Sequence, residues 1–259
     1  MLKEPDILKQ LEKFKVPSKC PVIVHSSLKA IGYIDGGAQT LLSALRKRFC
    51  KDDGLLCIPT HTWISMELDL CNPESNLGAL PTAAANHPEG VRSLHPTHSI
   101  TVFGNNAEEF VANEVYADTP THPDGCYGNI YREDGYVLLI GVNQTKNTMI
   151  HCLEEILEVP GRLTAEKIDT VIRYKDGKEE KRQLYWFDES KISDVSMFFD
   201  KFEPAFNYYN CISYEKLGNA DVQICSVRKM KEVMDIIYER AMGKELLADN
   251  TPLDESLYI

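Results

Sequence analysis

His151 and Glu154 stand three residues apart in TMIHCLEE, residues 148–155, shortly after the apolar run YVLLIGV at Tyr136–Val142. The run reads as a buried strand and the segment after it has helical spacing. The two side chains therefore fall on one face of a first helical turn, just beyond a strand end. An imidazole there can take a proton near neutral pH, and a carboxylate one turn on can hold the ring and stabilise its charged form. The same spacing also describes an ordinary helix histidine with an ion-pair neighbour, so the pair alone names no reaction.

Three further segments carry reactive groups. In VHSSLKAIGYIDGG, Val24–Gly37, a strand runs into a turn with two hydroxyls, Ser26 and Ser27, followed by Leu28 and Lys29. Backbone N–H groups in such a turn, with a helix start nearby and a lysine, make an anion site. Neither G-x-x-x-x-G-K-[ST] nor G-x-G-x-x-G is present. In RSLHPTHSITVFG, Arg92, Ser93, His95, His98 and Ser99 precede a buried strand, a position where α/β proteins place ligand-binding groups. His61, His87, His122 and the cysteines complete no zinc spacing with His95-x-x-His98, so hydrogen bonding is expected there and no metal. In THPDGCYGNIY, Cys126 has no local base to activate it. No G-x-S-x-G elbow exists, although Ser26 or Ser27 with His151 and Glu154 is geometrically conceivable.

These groups need a scaffold, and the patterning supplies one. Residues 4–14 read as a helix, Cys20–Leu28 as a buried strand, Ala38–Cys50 as a helix with a basic end, and Gly54–Thr60 as a second buried strand. Strand, loop, helix, strand is the βαβ signal of a layered α/β fold. Residues 61–92, with Pro73, Gly78, Pro81, Pro88 and Gly90, read as mostly irregular and as an active-site loop region. Ser99–Gly104 reads as a strand and Ala107–Ala117 as a helix. Lys175-Asp176-Gly177-Lys178 reads as a hairpin turn between two strands, and Val227–Leu247 as a helix. With no repeat and no low-complexity linker, residues 1–259 read as one domain.

Composition bounds the function. The chain has 259 residues, 43% of them hydrophobic, enough for a full core without disulfides or metals. A net charge of -11 argues against nucleic acid as a partner and leaves cationic ligands open. The eight cysteines form no C-x-x-C pair, the N-terminus MLKEPDILKQ reads as a helix start, and no apolar run spans a bilayer. A reducing, cytoplasmic setting is expected, with no membrane partner.

Taken in series, the segments resemble the aminoglycoside 3-N-acetyltransferase family. The residues that carry the resemblance are HSSLKAIG with Gly36-Gly37, Gly54 before LLCIPTHTW, RSLHPTHS, VFGNNAEEF, VLLIGV and TMIHCLEE, in order from about residue 20 to 160. The resemblance implies a layered α/β/α domain with a central mixed sheet, distinct from the common small acetyltransferases. It implies an acetyl-coenzyme A-dependent N-acetyltransferase that moves the acetyl group directly from thioester to an amine of an aminoglycoside or other amino sugar, as antibiotic-resistance enzymes do. His151 would be the general base and Glu154 would orient and charge-stabilise it. Ser26, Ser27, Leu28 and Lys29 would hold coenzyme A, while Ser93, His95 and Ser99 would bind the pantetheine end or polarise the thioester. A small-molecule amine acceptor is implied, with a monomer or homodimer as the acting unit.

Two departures touch the acceptor side: residues 61–92 lack a longer acidic, Trp-containing insert, and CYGN replaces a Ser-Pro pair. The alternatives are a hydrolase acting through Ser26 or Cys126 with His151, and a non-catalytic coenzyme A-binding relative.

Overall fold

In the central strands successive residues are all buried yet belong to two different cores. Val22 and Val24, Leu56 and Ile58, Leu138 and Ile140 pack on one side, while Ile23, Cys57, Val137 and Leu139 pack on the other. A period of two with both faces apolar is what a sheet covered on both sides requires. The computed structural model, which describes all 259 residues, bears this out as three layers.

The chain runs α1 (Glu4–Leu11), β1 (Pro21–Ser26), α2 (Leu28–Ile31), α3 (Gly37–Phe49), β2 (Leu55–Pro59), β3 (Glu67–Asp69), α4 (Ala79–Ala85) and β4 (Val91–Arg92). It continues with β5 (Ile100–Phe103), α5 (Ala107–Val111), α6 (Cys126–Arg132), β6 (Tyr136–Ile140), α7 (Met149–Ile156), β7 (Ile168–Arg173) and β8 (Glu179–Leu184). It closes with α8 (Glu203–Tyr208), β9 (Ile212–Leu217), β10 (Ala220–Ser226) and α9 (Val227–Ala241). Seven strands form the main sheet in the order β4-β5-β2-β1-β6-β10-β9. The three central strands are parallel, Ile23 pairing with Cys57 on one side and Val137 on the other, and the outer pairings are antiparallel.

Helices α1, α3 and α4 cover one face through Ile7, Leu11, Leu41, Leu45, Phe49 and Leu80. The spacing Leu41, Leu45, Phe49 is one stripe of α3, and each such leucine contributes about 1.5–3 kcal/mol by burial. Helices α6, α7, α8 and α9 cover the other face, with Tyr127, Ile150, Leu153, Phe206 and Met234 sealed inside. No helix is long and apolar enough to cross a membrane.

Residues 61–92 are mostly irregular, as expected, with the short elements β3, α4 and β4 set among the loops. Three local readings change. The expected hairpin forms, with Gly177 at φ 84 in its turn, but it pairs with β3 in a separate three-stranded sheet. The expected helix at 107–117 tightens to a 3₁₀ turn over Ala112–Tyr116, which swings Glu114 inward to accept from the Cys126 N–H. The expected C-terminal helix stops at Ala241, where Met242 turns left-handed with φ 50.

Candidate active site

The crossovers on either side of β1 lie on opposite faces of the sheet: α3 follows β1 on one, α7 follows β6 on the other. Such a switch point opens a crevice at the carboxyl ends of the strands. A cavity of about 500 Å³ lies there, bounded by Ser26 at the end of β1, Pro59 at the end of β2 and Val142 beyond β6. Gly141 allows this closeness: at φ 65, a Cβ there would meet the Ala30 Cβ at 2.4 Å.

Four histidines face the cavity: His25 from β1, His61 after β2, His98 before β5 and His151 from α7. On α7, Met149, Ile150 and Leu153 anchor in the core, leaving His151 on the cavity side and half-buried. Its ring stacks on Phe187, centroids 4.2 Å apart, and meets the edge of Phe199 at 4.7 Å. No protein group hydrogen-bonds either ring nitrogen. Burial lowers its pKa to about 3; Asp194 pulls upward and Arg162 adds to the lowering. The imidazole is therefore neutral at physiological pH, with nitrogens available to a ligand.

Glu154 does not orient that ring by a hydrogen bond. Its Oε1 accepts from Arg162 Nε at 3.0 Å and Tyr238 OH at 2.7 Å, and Arg162 reaches on to Glu245 at 2.9 Å. Three residues along the helix from His151, the carboxylate turns into the core toward α9 instead of along the cavity wall. Burial raises its pKa, with the guanidinium opposing. What Glu154 secures is Arg162, and with it one side of the cavity.

The HSSL turn divides its residues. Ser26 lines the cavity, its Oγ buried and without a hydrogen-bond partner. Ser27 caps α2 by accepting from the Ala30 N–H at 3.3 Å, Leu28 packs partly against the core, and Lys29 is exposed. These three do not line the main cavity. Beside it a second depression, about 600 Å³, includes Ala30, Gly141, Asn143 and Tyr214 and shares Val142 and Lys146 with it.

Ser93, His95 and Ser99 lie behind the cavity wall instead of on it. Ser93 Oγ accepts from the Ile100 N–H, and Ser99 Oγ accepts from Arg92 Nε at 3.0 Å and donates to the Thr60 carbonyl at 2.9 Å. His95 accepts from the Thr97 and His98 N–H groups at Nδ1 and meets the Thr119 carbonyl with Nε2 at 3.0 Å. With both nitrogens hydrogen-bonded inside the protein, His95 presents neither to the cavity; the three residues shape the turn that delivers His98.

Cys126 is sealed in the core, its thiol pushed well up by burial and by Glu114 beside it. That removes Cys126 as a nucleophile. Ser26 lacks a hydrogen-bonded base, so the triad geometry a serine hydrolase needs is absent.

Trp63, Asn76, Leu77 and Pro81 of the expected loop region also line the cavity, and more of its wall comes from residues that sequence reasoning did not single out: Trp186, Phe187, Asp188, Asp194, Arg162 and Glu245. These latter residues lie beyond the segments with recognisable motifs. The one available signal was YWF at 185–187, an aromatic run ending the predicted hairpin. Acidic Asp188, Glu189, Asp194 and Glu245 face the cavity with Lys146, Arg162 and Lys191, and Arg162 is already paired with carboxylates.

Known proteins resemble the chain in sequence and in fold. A curated relative, aminoglycoside N(3)-acetyltransferase VIII of Streptomyces fradiae, is 27% identical over 177 residues, covering 60% of this chain and 62% of that one. The chain thus spans less than two thirds of that relative's length. A solved structure of AAC-IIIb in a binary complex with CoASH matches with a TM-score of 0.79 at 16% identity, covering 92% of this chain and 97% of that one. Sisomicin-bound AAC-VIa matches with a TM-score of 0.73 at 19% identity, over 89% and 95%. Both show the same layered fold. The sequence profile described as aminoglycoside 3-N-acetyltransferase matches residues 23–239, most of the chain, from within β1 to within α9, and the chain belongs to that family.

Proposed function

We propose that the protein is an acetyl-coenzyme A-dependent N-acetyltransferase acting on a cationic amino sugar of the aminoglycoside type, with His151 as general base. The observation that carries this reading is the His151 imidazole itself: neutral, held flat by Phe187, and free at both nitrogens on the wall of a ligand-sized cavity. Membership of the family supports the reaction class. The CoASH and sisomicin carried by proteins of the same fold support the two ligand classes.

The acceptor nitrogen attacks the thioester carbonyl, forming the N–C bond, and His151 takes the N–H proton as that nitrogen becomes acidic. The C–S bond then breaks, and the proton passes from His151 to the departing sulfur, giving amide and free thiol. Asp188, Glu189 and Asp194 favour an acceptor carrying several ammonium groups. The shared border at Val142 and Lys146 supports a coenzyme A arm that crosses the second depression, past the turn of Ser27, Leu28 and Lys29, and reaches Ser26 with its pantetheine end.

The test is thiol release from acetyl-coenzyme A against a panel of aminoglycosides and amino sugars, with acetylated product identified by mass spectrometry. Amine-dependent release with a matching amide is expected. Release without any amine favours thioester hydrolysis, and coenzyme A binding without release favours a non-catalytic relative; either result overturns the proposal.

A further inference from the structure

The sequence weighs His98 with His95 as half of a metal pair and as one of the hydrogen-bonding groups before β5, and gives it no role of its own. The structure separates their roles. Two backbone N–H groups, of Thr97 at 3.2 Å and His98 at 2.9 Å, point at His95 Nδ1, so that nitrogen carries no proton. The proton of His95 sits on Nε2 and is donated to the Thr119 carbonyl.

Thr97 Oγ1 lies 3.3 Å from His95 Nδ1 and 3.1 Å from His98 Nδ1. Only one arrangement makes both contacts attractive. The hydroxyl donates to His95, and His98 Nδ1–H donates to the hydroxyl oxygen. The reverse sets two lone pairs against each other at the His95 side. A buried chain anchored on a backbone carbonyl thus dictates the tautomer of His98. Its Nε2 is left as a lone pair, unmatched by any protein donor, on a ring that lines the cavity. Trp186 and Phe187, each with its ring centroid 5.5 Å from that of His98, and His61 at 4.4 Å hold the ring in place.

We propose that His98 is a specificity-determining residue, its Nε2 accepting a hydrogen bond from an ammonium or hydroxyl of the amino-sugar acceptor. This rests on the acetyltransferase reading for what the acceptor is, and on the hydrogen-bond chain alone for what His98 presents. Burial supports it by keeping His98 neutral. Thr97 and His95 are positioning residues in this scheme, acting through His98. Phe187 touches both His98 and His151, so an acceptor gripped at one imidazole lies beside the other.

The experiment uses ¹⁵N-histidine-labelled full chain, with sisomicin and glucosamine as the amines and calorimetry alongside NMR. His98 Nε2 is expected to show the shift of an unprotonated nitrogen and to move when amine is added. His98→Phe should weaken amine binding and raise the acceptor KM about tenfold, with kcat and the acetyl-coenzyme A KM changed by less than about twofold. His98→Gln, which places an acceptor oxygen near the Nε2 position, should restore affinity. Thr97→Val should move the His98 proton to Nε2 and weaken binding without touching the ligand. A proton on Nε2 in the native chain, unchanged binding in His98→Phe, or no binding of either amine overturns the inference. Amine binding that shifts His98 without acetyl transfer would sink the acetyltransferase reading and leave this one standing. Transfer with an unresponsive His98 would do the opposite.

Discussion

The His151 imidazole and the Phe187 ring lie nearly parallel, centroids 4.2 Å apart and planes 22° from each other. Phe187 follows the end of β8, so a residue just beyond the small three-stranded sheet fixes the orientation of a histidine on α7, which packs against the main sheet. Phe187→Ala should lower kcat about tenfold by loosening the ring from its reactive orientation. It should also admit water and raise the His151 pKa, which proton-coupled NMR shifts of the imidazole would report. Unchanged kcat in this variant would mean that Phe187 only fills space.

His151→Ala should reduce acetyl transfer by about 10²–10⁴-fold while leaving coenzyme A affinity close to that of the native chain. The paired measurement is single-turnover rate against calorimetric binding of coenzyme A. Near-native turnover would place the base elsewhere.

The sequence alone suggests a rate that climbs through an enzyme group near neutrality. Burial changes that expectation, because His151 at about 3 is already neutral from pH 5 upward. The rising limb of kcat/KM should then belong to the acceptor's ammonium, which must lose its proton before it attacks. Two acceptors with different amine pKa values should show limbs displaced by that difference. A limb at the same pH for both would assign it to the enzyme.

Glu154 and Arg162 form a buried pair, with side chains 1% and 8% exposed. Glu154→Ala leaves the guanidinium with Glu245 alone and should cost about 3–5 kcal/mol of stability, read as a shifted urea midpoint. Glu154→Gln keeps an acceptor for Arg162 and Tyr238 and should cost less. Where the Gln variant is folded, its kcat should fall far less than in His151→Ala, since Glu154 makes no hydrogen bond to the imidazole.

His25 is buried with Nε2 unpartnered, and burial lowers its pKa from the ordinary 6.5 to about 4. Between those values the unfolded chain binds a proton that the folded chain refuses. Stability therefore falls as pH drops through this window, by about 1.4 kcal/mol per pH unit for this group. The raised carboxyls of Glu114, Glu154 and Glu155 act with the opposite sign, so the clean comparison is between variants. His25→Phe should flatten the loss between pH 6.5 and 4 relative to the native chain. An identical slope in both would show that His25 is protonated in the folded state.

Much was legible locally. The unbroken apolar runs in PVIVHS, LLCIP and YVLLI mark strands buried on both faces, and the stripe of Leu41, Leu45 and Phe49 marks the helix that joins two of them. The position of His151 just after β6 follows from the same patterning, because periodicity records which side of a single element meets the core. Ser26 at the mouth of the cavity was readable from the strand that ends there.

The tertiary structure decided who meets whom. Glu154 is on the expected turn, yet Arg162, Tyr238 and Glu245 claim it, and these come from a loop, α9 and the segment beyond α9. Ser93, His95 and Ser99 sit in the expected segment, yet their hydrogen bonds turn inward and leave His98 at the wall. Phe187 reaches His151 from a hairpin 36 residues on, through a β3–β7 pairing that no local pattern announces. Spacing along a chain determines which face of one helix or strand is apolar. Partners drawn from separate elements, and the burial that shifts their proton affinities, exist only once strand order and crossover side have been chosen.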